Sequence, residues 1–351
     1  MNIQFMNNIS IRLLHSEIDI DLVNMFYNSH YNKQRTKNQF LWEFMNGPAG
    51  SSIYVLAFDN AKLIGTVCGV PFNIEDNTSI IKSIKVEDLL IDQNYRGQGI
   101  FQGMMKLLTE TASNNGYQNM WAFTYATKSF QSVGFDIPYK VNLGFFNYNV
   151  SSLVSHLKIT SKAPDWKLLI FSLLSRVTSI KGMLSKQSLR TYTVQERKTE
   201  NLSALLRRTG LNFFSQTTSF LNWRVYNNPY LSTKRSFELL DANKILVGSI
   251  IVNYSQDAVA HWIQHVFDET LPTDLKKEFI KHVVTHLKKD CNLIRYWGFD
   301  FGEPQIADIK LMKQCGFLFT QRGIPFVWKD IHSAIDPKTL FISRMVSQGT
   351  V

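Results

Sequence analysis

Residues 84–112 constrain the fold more than any other stretch, because a strand pattern there changes into a helix pattern across a glycine-rich turn. Apolar residues form a strand-like run before the turn and recur at helical spacing from Ile100 onwards. Gly97 and Gly99 lie between the two patterns and allow backbone N–H groups to point together at the helix start. Such a turn can bind a phosphate or pyrophosphate, and a purely structural glycine turn is the simpler alternative.

The spacing of these glycines excludes two common nucleotide sites. A dinucleotide-binding fold requires G-x-G-x-x-G with an acidic residue about 20 positions later, and a P-loop requires G-K-[ST] after its second glycine. The segment R-G-Q-G-I-F contains neither pattern. A different kind of phosphate-binding loop is therefore indicated.

The loop resembles the pyrophosphate loop of the GNAT superfamily of acyl-CoA-dependent N-acyltransferases, which reads [RQ]-x-x-G-x-[GA] between a strand and a helix. Residues 96–100 fit this motif, whereas Phe101 stands where the family has a small residue. Residues 129–135 resemble the family's closing segment, with Phe130 where many members carry a proton-donating tyrosine. The resemblance implies that acyl-CoA is a co-substrate and that the packing beside its pyrophosphate is altered.

The resemblance also implies roles for individual residues. In the family, the strand before the loop binds the pantetheine arm, and one of its backbone N–H groups faces the thioester carbonyl; Leu90 is the expected donor here. The expected cofactor-binding residues are Leu89, Leu90, Ile91, Arg96, Gly97, Gln98, Gly99, Ile100, Phe101 and Gln102. Ordinary core packing of the three strand side chains is compatible with this role, since the backbone would bind the cofactor.

Transfer of an acyl group to an amine requires a base, and the cofactor strand offers two carboxylates. Glu87 and Asp88 occupy successive positions, so we expect them to face opposite ways and one of them to act on the amine. A solvent-facing position or an ion pair with a nearby lysine is an equally open alternative for each. Because Phe130 cannot donate a proton, water or Tyr125 would have to protonate the departing thiolate.

An internal repeat indicates two copies of one fold. Three segments recur in order at offsets of 181 to 183: residues 40–48 in 221–229, residues 60–65 in 243–248, and residues 134–135 in 316–317. Where the first copy has its glycine loop, the second has an acidic turn, residues 268–274, without glycine. Acidic groups cap a helix but repel a pyrophosphate. We therefore predict one acyl-CoA site per chain, in the first copy.

The length of 351 residues exceeds the usual size of one hydrophobic core, so two domains are expected. The pattern predicts an α/β class with mixed sheets, in which two GNAT-like domains lie in tandem and the second is degenerate. We predict an acyl-CoA-binding domain in residues 1–150, a helical linker in 151–200, a degenerate domain in 201–330 and an extension in 331–351. Residues 166–184 form a basic helical pattern, typical of a connecting helix or, alternatively, a membrane-surface helix.

Composition limits the partners that the chain would bind. A net charge of +10 favours anionic partners such as CoA and nucleotides. The sequence contains no basic–aromatic motif of the kind that binds nucleic acid. No apolar run is long enough for stable membrane insertion, and three widely spaced cysteines favour a reducing, cytoplasmic location. No metal is expected, because the histidine pairs 261/265 and 282/286 lack a third ligand. The sequence leaves the oligomeric state open.

The tandem arrangement and the W-R-x-x-N-x-P segment resemble bacterial enzymes that acylate nucleotide-linked amino sugars for lipopolysaccharide or capsule synthesis. The resemblance implies transfer of acetyl or 3-hydroxybutanoyl from CoA to an acceptor such as a dTDP-3-amino-3,6-dideoxyhexose. The residues expected to bind this acceptor are Trp121, Tyr125, Trp223 and Arg224. The alternatives are an aminoglycoside or peptide N-acetyltransferase, an aminoacyl transferase of the cell-wall class, and a non-catalytic acyl-CoA-binding module.

Overall fold

The computed structural model of the chain describes residues 8–76, 79–160, 163–184, 189, 191–230, 233–254, 257–299, 308–332 and 335–347. Some residues of all four predicted segments lie outside these ranges, including 185–188 in the predicted linker and 348–351 in the predicted extension.

The chain divides into two compact units that are each assembled from distant segments. Unit 1 comprises Met1–Pro138, Asn222–Tyr230 and Pro325–Thr339, and unit 2 comprises Tyr139–Leu221, Leu231–Ile324 and Leu340–Val351. The predicted domains are contiguous in sequence, and these units are not. The difference arises because two short segments of the second half complete unit 1.

The secondary structure alternates between strands and helices. Among the described residues the strands are β1 (Ile9–Leu13), β2 (Ile53–Asp59), β3 (Lys62–Glu75), β4 (Ile80–Ile91), β5 (Asn119–Phe123), β6 (Asp136–Asn147), β7 (Thr193–Glu196), β8 (Asn212–Phe214), β9 (Thr233–Leu240), β10 (Leu246–Tyr254), β11 (Val259–Phe267), β12 (Leu293–Phe299), β13 (Leu318–Asp330) and β14 (Leu340–Phe341). The helices are α1 (Glu17–Tyr31), α2 (Lys37–Phe40), α3 (Ile100–Asn114), α4 (Thr127–Gln131), α5 (Val150–Thr160), α6 (Asp165–Leu184), α7 (Ser203–Arg207), α8 (Thr218–Leu221), α9 (Thr273–Leu287) and α10 (Asp308–Gln314). Two π-helical turns, Leu41–Met45 and Asn222–Tyr226, follow α2 and α8.

Unit 1 contains a mixed sheet in the order β1-β2-β3-β4-β5-β13. Neighbouring strands are antiparallel except β4 and β5, which are parallel. Residues 326–330 of β13 pair with residues 119–123 of β5 and so complete the sheet from the far end of the sequence. The apolar face of α3, which includes Met104 and Leu108, lies in the unit's hydrophobic core.

Unit 2 repeats this order of elements. Its sheet runs β13-β6-β12-β11-β10-β9-β7, with the N-terminal part of β13 at one edge. The parallel pair β11 and β12 corresponds to β4 and β5, and α9 follows β11 as α3 follows β4. Trp262, Phe279 and Phe317 lie in the largest core cluster of the unit. The repeat of elements agrees with the repeat found in the sequence.

Candidate functional site

Strand β4, which we predicted to bind the cofactor, is interrupted by a β-bulge. Cys68 of β3 lies opposite Glu87 and Thr66 lies opposite Leu90, so two residues of β4 face one residue of β3 between these pairs. Asp88 lies in the bulge with a φ of 48°, and the Thr66 hydroxyl donates to its carbonyl oxygen at 2.8 Å. The bulge breaks the regular alternation from which we expected Glu87 and Asp88 to face opposite ways. Both carboxylate side chains are largely buried.

The bulge lies just beyond the point where the pairing of β4 with β5 ends. Within the described residues, parallel pairing joins residues 83–85 of β4 to residues 119–121 of β5. The later part of β4, which includes Leu90 and Ile91, pairs with β3 on its other side. Beyond Lys85, the edge of β4 that faces β5 is therefore open to an extended ligand such as a pantetheine arm.

The glycine loop follows β4 through a short 3-10 turn, Gln93–Tyr95. Gly97 and Gly99 have φ angles of 78° and 79°, which lie in the left-handed region that favours glycine. Gly99 is the N-cap of α3, so the first N–H groups of that helix and its positive dipole end point towards the loop. A Cβ atom placed on Gly97 would meet nothing within 4 Å. This open loop fits a pyrophosphate group.

Phe101 and Phe130, the two residues that depart from the family pattern, pack against each other. The ring centroids of Phe101 and Phe130 are 5.7 Å apart, and Phe130 also contacts Phe135 at 5.0 Å. Both Phe101 and Phe130 are buried, so Phe130 belongs to the core beside α3. Tyr125 is 70% exposed on the connection before α4. Within the described part of the chain, no hydrogen bond identifies a role for its hydroxyl group.

Asp88 belongs to a buried ion pair that the sequence did not indicate. Arg35 Nη1 lies 3.0 Å from Asp88 Oδ2, and the Tyr54 hydroxyl donates to the same carboxylate oxygen. Arg35 Nε also donates to Asn24 Oδ1 at 2.8 Å. Burial, and then the neighbouring Asp88, raises the pKa of Tyr54 well above its ordinary value, so Tyr54 remains a proton donor to Asp88. These partners fix the bulge in place.

A second set of charges lies on the same strand and on the first π-helical turn. Lys85 forms a buried ion pair with Glu87, whose side chain is 13% exposed. Glu43, on the π-helical turn, accepts a hydrogen bond from the Tyr230 hydroxyl at 3.1 Å. Burial, and then the charge of Asp88, raises the pKa of Glu43 to about 7. Glu43 lies inside the repeated segment 40–48, which was the only signal in the sequence that could have singled it out.

The two tryptophans of the repeated segment bind each other reciprocally. The Trp42 indole N–H donates to the Trp223 carbonyl at 2.8 Å, and the Trp223 indole N–H donates to the Trp42 carbonyl at 2.7 Å. Arg224 lies over both rings, 5.9 Å and 5.8 Å from their centroids. Burial is the main cause of the lowered pKa of Arg224. Trp223 and Arg224, two of the four residues expected to bind the acceptor, thus contribute to a packed cluster of unit 1.

Trp121 differs most from its expected role. Its side chain is fully buried, and its indole N–H donates to Ser83 Oγ at 2.9 Å. The ring packs against Phe72 and Phe326. Trp121 is therefore a core residue beside the opening of β4 and β5, and it does not offer the aromatic surface that we expected for a nucleotide base.

Glu43 supplies a pH-dependent term in stability that can be measured. Its pKa is raised from 4.5 to about 7, so the folded protein binds this proton more tightly than the unfolded chain does. Binding of this proton stabilises the folded state below pH 4.5. The stabilisation is lost as pH rises through 7, which lowers the free energy of unfolding by about 3 kcal/mol.

We expect Glu43→Gln not to show this pH-dependent loss of stability. The free energies of unfolding of variant and parent, measured by urea denaturation from pH 4 to 8, should diverge in favour of the variant. Tyr230→Phe, which keeps the carboxyl group, should retain the loss, and parallel pH curves for Glu43→Gln and the parent would contradict the assignment.

Unit 2 has a corresponding opening without a glycine loop. Trp262 and Tyr296 form the last parallel pair of β11 and β12, and β11 has a bulge at Ile263. A cavity of about 670 Å³ lies beyond this point. Asp268, which pairs with Arg208 at 2.8 Å, occupies the turn before α9. The acidic turn predicted for the second copy is thus present.

The histidine pairs are placed on two different kinds of element. His261 and His265 lie on strand β11, and His282 and His286 lie on helix α9. The part of the chain that the structure describes contains no group of three or more His, Cys, Asp or Glu side chains that could hold a metal ion.

Comparison with known proteins places the first unit in a known fold. Residues 20–135 match the family model described as the Acetyltransferase (GNAT) family. A protein of Melanoplus sanguinipes entomopoxvirus, described as a glycylpeptide N-tetradecanoyltransferase, is 32% identical over 100 residues, which are 28% of this chain and 34% of that protein. The chain thus matches about a third of the length of this curated relative.

Two solved structures resemble nearly the whole chain. A tandem GNAT protein from the clavulanic acid biosynthesis pathway has a TM-score of 0.54 at 13% identity, covering 93% of this chain and 100% of that chain. The N-myristoyltransferase of Saccharomyces cerevisiae with bound myristoyl-CoA has a TM-score of 0.57 at 10% identity, covering 99% and 90%. At these identities the likeness concerns the fold. It confirms the mixed α/β class with two GNAT-like domains in tandem.

Proposed function

We propose that this chain, whose residues 20–135 match the GNAT acetyltransferase family, is an acyl-CoA-dependent N-acyltransferase. The observation that carries the proposal is the bulged strand β4, which separates from β5 and leads into an open glycine loop at the start of α3. A structural glycine turn alone requires neither the separation of the strands nor the open approach to Gly97.

The residues of the loop and of β4 would position the thioester. Backbone N–H groups of residues 97–102 would bind the pyrophosphate, with Arg96 beside them as a further positive charge. The backbone of Leu89, Leu90 and Ile91 would hold the pantetheine arm, and the N–H of Leu90 would stabilise negative charge on the thioester oxygen. Such positioning can lower a barrier by about 7–11 kcal/mol in well-oriented systems.

Glu87 is the base that we favour for removing a proton from the amine. Asp88 is bound by Arg35 and Tyr54, whereas Glu87 has a partly exposed side chain and one buried partner, Lys85. Glu43 is a second candidate, because a pKa of about 7 suits a group that accepts a proton near neutral pH. Tyr125 or water would supply the proton that the thiolate takes up as it leaves.

For the acceptor we propose a nucleotide-linked amino sugar, such as a dTDP-3-amino-3,6-dideoxyhexose, and acetyl or 3-hydroxybutanoyl as the acyl group. The excess of positive charge supports two anionic substrates. A second candidate is the N-terminal amine of a peptide with a longer acyl chain. It is supported by the likeness to a protein described as a glycylpeptide N-tetradecanoyltransferase and to an N-myristoyltransferase.

A thiol-release assay tests these proposals. The purified chain is combined with acetyl-, 3-hydroxybutanoyl- and myristoyl-CoA, each paired with dTDP-linked amino sugars, aminoglycosides and peptides that begin with glycine. We expect release of CoA only when an amine acceptor is present, and fastest with a sugar nucleotide. Fastest release with a glycine peptide would replace the sugar assignment by the peptide one. No turnover of any amine, together with binding of acyl-CoA, would leave a non-catalytic acyl-CoA-binding module.

A further inference from the structure

The helix α6 buries small polar residues where most globular helices bury apolar ones. Ser172, Ser175 and Ser179 have no exposed surface. Ser179 Oγ accepts the Asn147 backbone N–H at 2.9 Å and donates to the Gly316 carbonyl at 3.2 Å. A Cβ atom on Gly182 would lie 2.4 Å from the Cys315 carbonyl oxygen, so the helix approaches neighbouring backbone more closely than larger residues would permit.

The opposite side of α6 exposes large apolar residues in one continuous stripe. These residues recur at intervals of three or four, and their exposed fractions are 60% for Trp166, 47% for Leu169, 49% for Ile170, 49% for Leu173, 56% for Leu174, 49% for Val177 and 39% for Ile180. Single exposed apolar residues are common on soluble proteins, but a contiguous patch of this kind marks an interaction surface. We call these seven residues the α6 stripe.

The charges along α6 indicate what covers the stripe. The only acid of the helix, Asp165, is bound by Lys158 at 2.7 Å. Beyond it, every charged residue of the helix is basic: Lys167, Arg176 and Lys181. Lys167 and Lys181 are exposed near the two ends of the stripe, and Lys167 lies 5.3 Å from the ring of Trp166. Lysine and tryptophan beside an apolar face are typical of helices that lie in the interface of a membrane.

We propose that the α6 stripe docks this protein onto an anionic lipid surface, with the helix parallel to that surface. The apolar residues would enter the boundary between headgroups and acyl chains, while Lys167 and Lys181 would bind the anionic headgroups. Among the described residues, no helix is long and apolar enough to cross a membrane. A second copy of the chain fits less well, because a two-fold contact through this stripe would bring the same basic residues of both copies together.

The test is co-sedimentation of the full chain with vesicles of phosphatidylcholine that contain about 25% phosphatidylglycerol. We expect the parent to bind these vesicles, and to bind them more weakly when NaCl is raised from about 0.1 to about 0.5 M. Each of the single variants Lys167→Gln and Lys181→Gln should bind about fivefold more weakly than the parent. The double variant Ile170→Glu/Leu174→Glu should bind at least about tenfold more weakly. Both of its positions are about half exposed, so its thermal midpoint should match that of the parent.

Two further measurements separate the lipid from other partners. Met25→Glu, at a 68% exposed position of α1, introduces a similar charge outside the stripe and should bind vesicles like the parent. Brominated lipids should quench tryptophan fluorescence in the parent and quench it less in Trp166→Phe. The proposal fails if vesicles do not bind the parent, if Met25→Glu weakens binding as much as the double variant does, or if light scattering shows a dimer that Ile170→Glu/Leu174→Glu dissociates.

Discussion

Replacement of Gly99 by tryptophan is expected to weaken acetyl-CoA binding by about 30-fold, or about 2 kcal/mol. Gly99 has a φ of 79° at the start of α3, where a side chain is both strained and placed at the proposed pyrophosphate site. Titration calorimetry of the full chain with acetyl-CoA measures the change. It also measures the number of sites, which we expect to be one per chain because the turn before α9 is acidic.

Gly116→Trp is the matched control for this experiment. Gly116 lies just beyond the other end of α3, has a φ of 78°, and has open space around its Cβ position. The substitution should cause a similar backbone strain and leave acetyl-CoA binding near that of the parent. Equal losses of acetyl-CoA affinity in the two variants would show that strain in α3 causes the effect. Unchanged affinity in Gly99→Trp would show that the glycine loop does not bind the cofactor.

Replacement of Arg35 by leucine is expected to lower the free energy of unfolding by about 3–5 kcal/mol. Both Arg35 and Asp88 are buried, and loss of the guanidinium would leave the Asp88 carboxylate without its compensating charge. Tyr54 would remain as a single hydrogen-bond donor to it. Urea denaturation at pH 7 measures the effect.

The double variant Arg35→Leu/Asp88→Asn tests whether the uncompensated charge causes the loss. Asparagine tolerates the left-handed backbone of position 88 and carries no charge, so we expect the double variant to be more stable than Arg35→Leu alone. If the double variant is as unstable as the single one, the loss comes from the packing of Arg35 on Tyr27, whose ring centroid lies 3.9 Å away, and not from charge.

Local patterns predicted much of the fold. The change from strand to helix spacing at residues 84–112, and the repeat of three short segments, were enough to indicate β4, α3 and two copies of one fold. Gly97 and Gly99 indicated a turn open to conformations that other residues rarely adopt, and both have positive φ angles. Each of these features is set by residues that are close together in sequence, or by a repeat that comparison of the two halves makes visible.

Features that depend on distant residues could not be predicted in the same way. The bulge at Asp88 depends on Thr66 and on the pairing register of β3, and the raised pKa of Glu43 depends on burial among charges from three segments. Trp121 was expected to offer an aromatic surface to the acceptor. It is buried because Phe72 and Phe326, the latter on β13 about 200 residues later, pack against its ring. No local property of residues 119–123 indicates that partner.

Unit 1 is assembled from three separate segments of the chain, so it cannot be completed during synthesis until the last of them has been made. Its last sheet strand is formed by residues 326–330, and its paired tryptophan turn by residues 222–226. At a translation rate of about 5–20 residues per second, the edge of β5 stays without its final partner for on the order of 10–40 s after residue 123 is made. An unpaired strand edge next to apolar surface promotes association with other chains. The nascent protein is therefore expected to depend on chaperones until residue 330 has been made.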